Sequence, residues 1–206
     1  PLIQKELIRK CIHRGKPVIV ATQMMESMID RVKPNRSEIT DVANAVLQVA
    51  SATMLSGESA SGAYPIKAVE TMAHIHEVVE QQQNAIEIIK GDEAAIYFKN
   101  HALANTPNVT LTDRLISGAC RLARDSKAKA ILCITNSGQT AFKLSAHRPK
   151  ADLYVFTNNK QLMSTMGLLW GVKVFYYDAA SESAEKTVQG MVDLLKSKDL
   201  LEVGDV

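Results

Sequence analysis

Pro17-Val18-Ile19-Val20-Ala21-Thr22-Gln23 and Ala52-Thr53-Met54-Leu55-Ser56-Gly57-Glu58 follow one pattern, a short apolar run that breaks off into polar residues. Runs of this length, bounded by polar or turn residues, fit strands buried on both faces, as in parallel sheets. Working outward, Leu2 to Arg14 carries Ile3, Leu7 and Ile8 among charges and predicts an amphipathic helix stopped by Gly15. Ser37 with Glu38, and Thr40 with Asp41, are start signals for a helix through Val49. Pro65 opens a longer helix to about Lys90. Strand and helix alternate throughout, which is the α/β pattern.

Gly91 breaks the long helix, Ala94 to Leu111 has weak periodicity, and Pro107 argues against helix there. The domain boundary is placed between 90 and 91. Beyond it the alternation restarts. A helix is expected from Thr112 to Ser126, a strand at Ala130 to Thr135 and a helix after Gln139. A strand at Leu153 to Thr157, a helix from Asn159, a strand at Val172 to Tyr176 and a helix from about Ser183 to Lys196 follow. Residues 91–206 are thus expected to form a small, mostly parallel three-layer α/β domain, with helices on both faces of the sheet.

Composition excludes several classes. With 24 basic against 22 acidic residues the net charge is +2, too small for the one-sided basic excess of a nucleic-acid binder. No apolar run approaches the ~20 residues of a membrane span, and no signal peptide opens the chain. Cys11, Cys120 and Cys133 are far apart, so neither disulfides nor a zinc site is expected, and a reducing cytoplasm fits. Cys133 reads as core, and Met24, Met25 and Met28 read as packing. His74 and His76, two apart on a helix, point to different sides and share no metal. His13, His101 and His147 stand isolated. The chain lacks an initiator methionine and stops at Gly204-Asp205-Val206, where a strand is expected to begin, so a piece of a longer protein is expected.

Two places carry chemistry. Thr22-Gln23 and Ser56-Gly57-Glu58 follow neighbouring strands, and in parallel architectures the C-terminal strand ends face the ligand. Two hydroxyls, an amide and a carboxylate there can bind a substrate and pass a proton. The same residues also fit a turn at Ser56-Gly57 and a helix cap at Glu58. Gly57 to Gly62 fails the phosphate-loop template, because Ala63 and Tyr64 follow where Lys and Ser/Thr are required. The second place is Thr135-Asn136-Ser137-Gly138-Gln139-Thr140, between a strand and a helix. Free amides at a helix start, three hydroxyls and a close approach at Gly138 suit a phosphate, with Arg148 and Lys160 as nearby cations. An ordinary polar cap fits the same residues.

Gly15-Lys16-Pro17-Val18-Ile19 with Ala21 to Met28, Arg36-Ser37-Glu38 with Thr40 to Val46, and Met54 to Ala60 with Gly62 and Tyr64-Pro65 resemble the pyruvate kinase family, in the same order. The likeness is sharper before residue 85 than after it. It implies residues 1–90 as a partial TIM-barrel segment, the C-terminal part of a (β/α)8 catalytic barrel, and residues 91–206 as the C-terminal allosteric domain. The implied reaction is glycolytic. Phosphoenolpyruvate gives its phosphoryl group to ADP, and the enolate is protonated to pyruvate. On this resemblance Thr22 lies beside the enolate, Ser56 lines the proton-delivery side, and Gln23 and Glu58 belong to the same polar network. Glu26 and Arg36 match positions near a subunit contact of a homotetramer. Ser61 stands where some members carry a lysine near the nucleotide, and Gln139 where some effector-regulated members carry arginine.

A TIM barrel takes ~250 residues. The resemblance therefore puts the phosphoryl-transfer lysine, the Mg²⁺-binding Glu and Asp and the K⁺ ligands upstream of Pro1, with no metal ligand in this chain. More strands and an effector loop are expected past Val206. The chain alone is expected to be inactive, an expectation that normal turnover by the purified 206 residues would refute. A different class of reading is a stand-alone regulatory module that binds a phosphorylated metabolite, and another is a purely structural oligomerisation piece.

Overall fold

The structure is a computed structural model that describes residues 2–90, 110–179 and 183–205. The expected boundary at 90/91, the weakly periodic stretch up to residue 109 and His101 lie outside the described residues. The chain divides into two compact units, Pro1–His13 with Pro17–Asn105, and Arg14–Lys16 with Thr106–Val206.

In the first unit, α1 (Leu2–His13) precedes β1 (Ile19–Ala21), and a 3-10 turn (Glu26–Ile29) precedes α2 (Arg36–Leu47). β2 (Ala52–Met54), the short α3 (Gly57–Ala60) and the long α4 (Pro65–Lys90) follow. β1 and β2 are parallel, with Ile19 opposite Ala52, Val20 opposite Thr53 and Ala21 opposite Met54. Side chains alternate between faces along a strand, so Val20 and Thr53 share one face, and the pairs Ile19 with Ala52 and Ala21 with Met54 share the opposite one. The Val20 face is covered: Val20 is buried, and the Thr53 hydroxyl meets the Met72 sulfur and the His76 ring of α4. On the other face Ile19 and Met54 are 44% and 43% exposed. Among the described residues helices cover the Val20 side of this two-stranded sheet and leave the Ile19 side open, so burial is seen here on one face.

The start of α2 is also corrected. Neither Ser37 nor Thr40 caps it. Asn35 does, in extended conformation, and Glu38 accepts the Asn35 backbone N–H at 2.7 Å. Thr40 sits one turn inside and donates to the Arg36 carbonyl. A capping residue needs an extended backbone just outside the helix, and the chain turns in at Asn35 rather than two residues later. Met24, Met25 and Met28 are core, as expected.

In the second unit, α5 (Leu111–Asp125), β3 (Ala130–Ile134), α6 (Gln139–Ala146), β4 (Asp152–Thr157), α7 (Lys160–Met166), β5 (Val172–Tyr176) and α8 (Ala184–Lys196) alternate in order. The sheet is fully parallel with β4 central, pairing with β3 on one side and β5 on the other. Here both faces are covered. Leu153 and Val155 pack with Ile116, Cys133, Ala141, Leu144, Met166 and Leu169, while Tyr154 and Phe156 pack with Met191 and Leu195. Phe175 stacks on Phe156 at 5.5 Å between centroids and meets the Tyr154 edge at 6.0 Å. Each such buried side chain is worth about 2 kcal/mol over its exposed state, so β4 anchors the unit. Cys133 is core, and burial pushes its thiol up to about 11. No helix among the described residues is long and apolar enough to cross a membrane.

Candidate functional site

The in-register pairing of β1 and β2 sends both strands' polar tails off the same edge. Thr22 and Gln23 leave β1 with φ of 68° and 54°. That is the left-handed region, unusual for any residue with a β-carbon and a true outlier for a β-branched threonine. Both side chains are exposed. Met24 and Met25 then dive into the core at 5% and 0% exposure, fixing the loop from its far side.

Ser56 follows β2 as the residue before α3 and is half-buried. Glu58 is almost fully buried at 2% exposure. One carboxylate oxygen accepts the Met25 N–H at 3.1 Å and the other the Ser56 N–H at 2.7 Å. Burial alone would raise its pKa. The amides of Glu58 itself, Ser56 and Met25 outweigh that and hold the carboxyl below its usual range. Glu58 thus joins the two strand ends through their backbones, 33 residues apart at Met25. Ser61 turns its hydroxyl back toward the Gly57 carbonyl at 3.5 Å. Gly62 is packed so closely that a β-carbon there would meet the Glu58 carbonyl oxygen at 2.7 Å.

Glu26 is exposed at the start of the 3-10 turn, and Arg36 is exposed at the start of α2. Beside them lies a polar clamp not singled out from the sequence. Glu38 accepts the Ser27 N–H at 2.8 Å, the Ser27 hydroxyl and the Asn35 N–H. Burial works against this carboxylate, but the Ser27 and Asn35 donors prevail and its pKa is lowered. The Asn-x-x-Glu spacing at 35–38 was the available signal.

In the second unit, Thr135 to Thr140 links β3 to α6. Thr135 is buried, and its hydroxyl accepts the Gly138 N–H at 3.0 Å. Gly138 stands at φ 80° as the residue before α6, with the space of a β-carbon occupied by Leu162 at 2.9 Å and Phe142 at 3.1 Å. Its glycine is thus needed for the turn and for packing. Asn136, Ser137 and Gln139 are exposed, and Thr140 is half-buried. The two cations lie on aromatic faces: the Arg148 guanidinium is 4.4 Å from the Trp170 centroid, and the Lys160 ammonium is 5.6 Å from that of Tyr176.

His147 is not isolated. Burial depresses its pKa, opposed by the charge of Asp113. Asp113 pairs with Lys143 and accepts the Thr110 N–H and hydroxyl. Burial raises the Asp113 carboxyl, but the Lys143 and Thr110 donors override it and hold it at about 2. His76 is also lowered by burial, against the charge of Glu80, with its Nε2 2.9 Å from the Thr53 hydroxyl.

Comparison with known proteins follows this division. A family profile described as pyruvate kinase, barrel domain, matches residues 1–69, and one described as pyruvate kinase, alpha/beta domain, matches residues 113–206. Pyruvate kinase of Clostridium acetobutylicum is 37% identical over 206 residues, which cover 100% of this chain and 41% of that protein. Pyruvate kinase of Bacillus licheniformis is 36% identical, covering 98% and 33%. A crystal structure of pyruvate kinase from Cryptosporidium parvum superposes with a TM-score of 0.85 at 33% identity, covering 99% of this chain and 40% of that one. Another, of the Cryptosporidium parvum enzyme in complex with ADP, superposes at 0.79 and 34% identity. This chain therefore spans well under half the length of these relatives.

Proposed function

The chain belongs to the pyruvate kinase family, and from that premise we propose that residues 1–90 supply the proton-transfer side of a site that passes a phosphoryl group from phosphoenolpyruvate to ADP. Residues 91–206 are its regulatory domain. The observation that carries this reading is the parallel register of β1 and β2, which brings Thr22 and Ser56 off one sheet edge. Loss of the phosphoryl group leaves an enolate of pyruvate, and product forms when its terminal carbon gains a proton. Thr22 is the hydroxyl beside that carbon, Ser56 lines the route by which the proton arrives, and Gln23 orients the substrate from the same loop. The open apolar face of Ile19 and Met54 supports the barrel assignment, because inward-facing side chains of such strands are covered only by their neighbours around the ring.

The family implies Mg²⁺ and K⁺. Among the described residues no group of three His, Cys, Asp or Glu side chains could hold a metal ion. Glu58, the carboxylate at the strand ends, has both oxygens taken by backbone amides. The described residues do not fit that metal site.

The test separates the proton step from phosphoryl transfer. In the full-length enzyme carrying this sequence, exchange of the pyruvate methyl hydrogens with deuterated water is measured. Thr22→Ala is expected to slow it about 100-fold, the low end for a lost proton-transfer group, and Ser56→Ala, which only lines the route, by less. Unchanged exchange in both variants refutes the assignment. For the second domain, Ser137, Gln139, Asn136 and Thr140 at the start of α6 are proposed to receive an effector phosphate, with Thr135 and Gly138 shaping the turn. Exposed Glu26 and Arg36 are proposed to meet a second subunit of a homotetramer.

A further inference from the structure

We infer that Glu58 is a positioning residue for the proton-transfer step, holding Thr22 and Gln23 in their left-handed conformation by binding the Met25 amide while it binds the Ser56 amide with its other oxygen. The role rests on the reading of Thr22 and Ser56 as substrate-side hydroxyls.

Three observations converge on it. First, two consecutive non-glycine residues at φ 68° and 54° form a costly loop, of order 1–2 kcal/mol per residue. Such a loop persists only where its surroundings over-determine it. Second, the restraint on its C-terminal side is at Met25, two residues past Gln23. There the side chain is fully buried and the amide is bound to Glu58 Oε1. Third, the same carboxylate binds Ser56 through Oε2, so one rigid group sets both hydroxyl-bearing strand ends. The backbone of Glu58 is itself wedged against Gly62, with no room for a β-carbon at that position, and the Ala63 N–H is bonded to the Ile29 carbonyl at 2.7 Å. The carboxylate therefore has little freedom to follow the loop if the loop relaxes. Glu58 is almost fully buried and both its oxygens are engaged by backbone amides, so its effect on chemistry passes through Thr22 and Ser56.

The experiment uses the full-length enzyme with Glu58→Gln and Glu58→Asp, each alone and combined with Thr22→Ala. The glutamine keeps one acceptor and turns an NH₂ toward the other amide. The aspartate keeps the charge but is one methylene too short to span both. Methyl-hydrogen exchange and kcat are expected to fall about 10- to 100-fold, as for a reacting group displaced by about 1 Å, while KM for phosphoenolpyruvate moves less than about threefold. In the Thr22→Ala background Glu58→Gln is expected to cost almost nothing further, because residues acting through one another are non-additive. The amide proton resonances of Met25 and Ser56 are expected to shift together in Glu58→Gln.

An active parent whose folded Glu58 variants exchange at the parent's rate overturns the positioning role alone. So does a loss of equal size with and without Thr22, which marks a merely structural residue. A parent that makes pyruvate without exchanging its methyl hydrogens, and whose Thr22→Ala variant is unimpaired, overturns the functional reading and this role with it. If Glu58→Gln does not fold, Glu58→Asp carries the same comparison.

Discussion

At Gly138 the residue type was legible from the sequence, but what fills the space of its absent side chain was not. Glycine in a strand-turn-helix junction suggests room for a ligand. In the structure the space beside it holds Leu162 and Phe142, and the backbone is left-handed at φ 80°. Gly138→Ala is therefore expected to destabilise the second unit by about 1–3 kcal/mol, read as a lowered urea midpoint. An unchanged midpoint would show that the turn tolerates a side chain. Glu58 gives the same lesson with a charge. Its type and place beside Ser56 were legible, but its burial and its bond to Met25 were not, since nothing local to residues 56–60 reveals what residue 25 does.

At the scale of elements, the joint between α5 and α6 makes its own prediction. Asp113 closes the first turn of α5 by accepting from Thr110 and reaches across to Lys143 on α6, with His147 at the end of α6 within its field. Asp113 is held at about 2 against an ordinary 3.8. Its contribution is thus complete above pH 3.8 and lost as pH falls toward 2. Asp113→Asn is expected to cost about 1–2 kcal/mol at pH 7, because the side chains of the pair are largely, not wholly, shielded. His147 titrates the other way in charge but with the same slope. Its folded pKa lies below 6.5, so the unfolded chain binds a proton first, and stability falls as pH drops below 6.5 through the folded value. His147→Gln is expected to flatten that part of the curve, measured by urea denaturation between pH 7 and pH 5. A slope unchanged by the substitution would remove His147 from the account. The helices themselves were legible from caps and periodicity to within a few residues. β1 and β4 were not told apart, because both present short apolar runs, and only the number of neighbouring strands and covering helices decides whether one face or two is buried.

At the scale of the molecule, ligand binding should stabilise the folded state by an amount set by concentration over Kd, about 2.7 kcal/mol at a hundredfold excess. In the intact enzyme, phosphorylated sugars or AMP are expected to raise the melting temperature. Ser137→Ala with Gln139→Ala is expected to abolish that rise without lowering the unliganded value, since both side chains are exposed. The absence of any rise with any of these ligands would remove the effector reading. The parallel sheets and the family were legible in the sequence, because alternating apolar runs and long ordered motifs are properties of the chain read in order. What only the tertiary structure decided is which polar atoms remain available. Glu58 and Thr135 looked like groups with something to offer, and Glu38 like a helix-start signal. Thr135 is taken by the Gly138 amide of its own turn, whereas Glu58 also takes the Met25 amide and Glu38 the Ser27 amide and hydroxyl. Those longer-range bonds depend on which backbones meet in the fold rather than on local spacing.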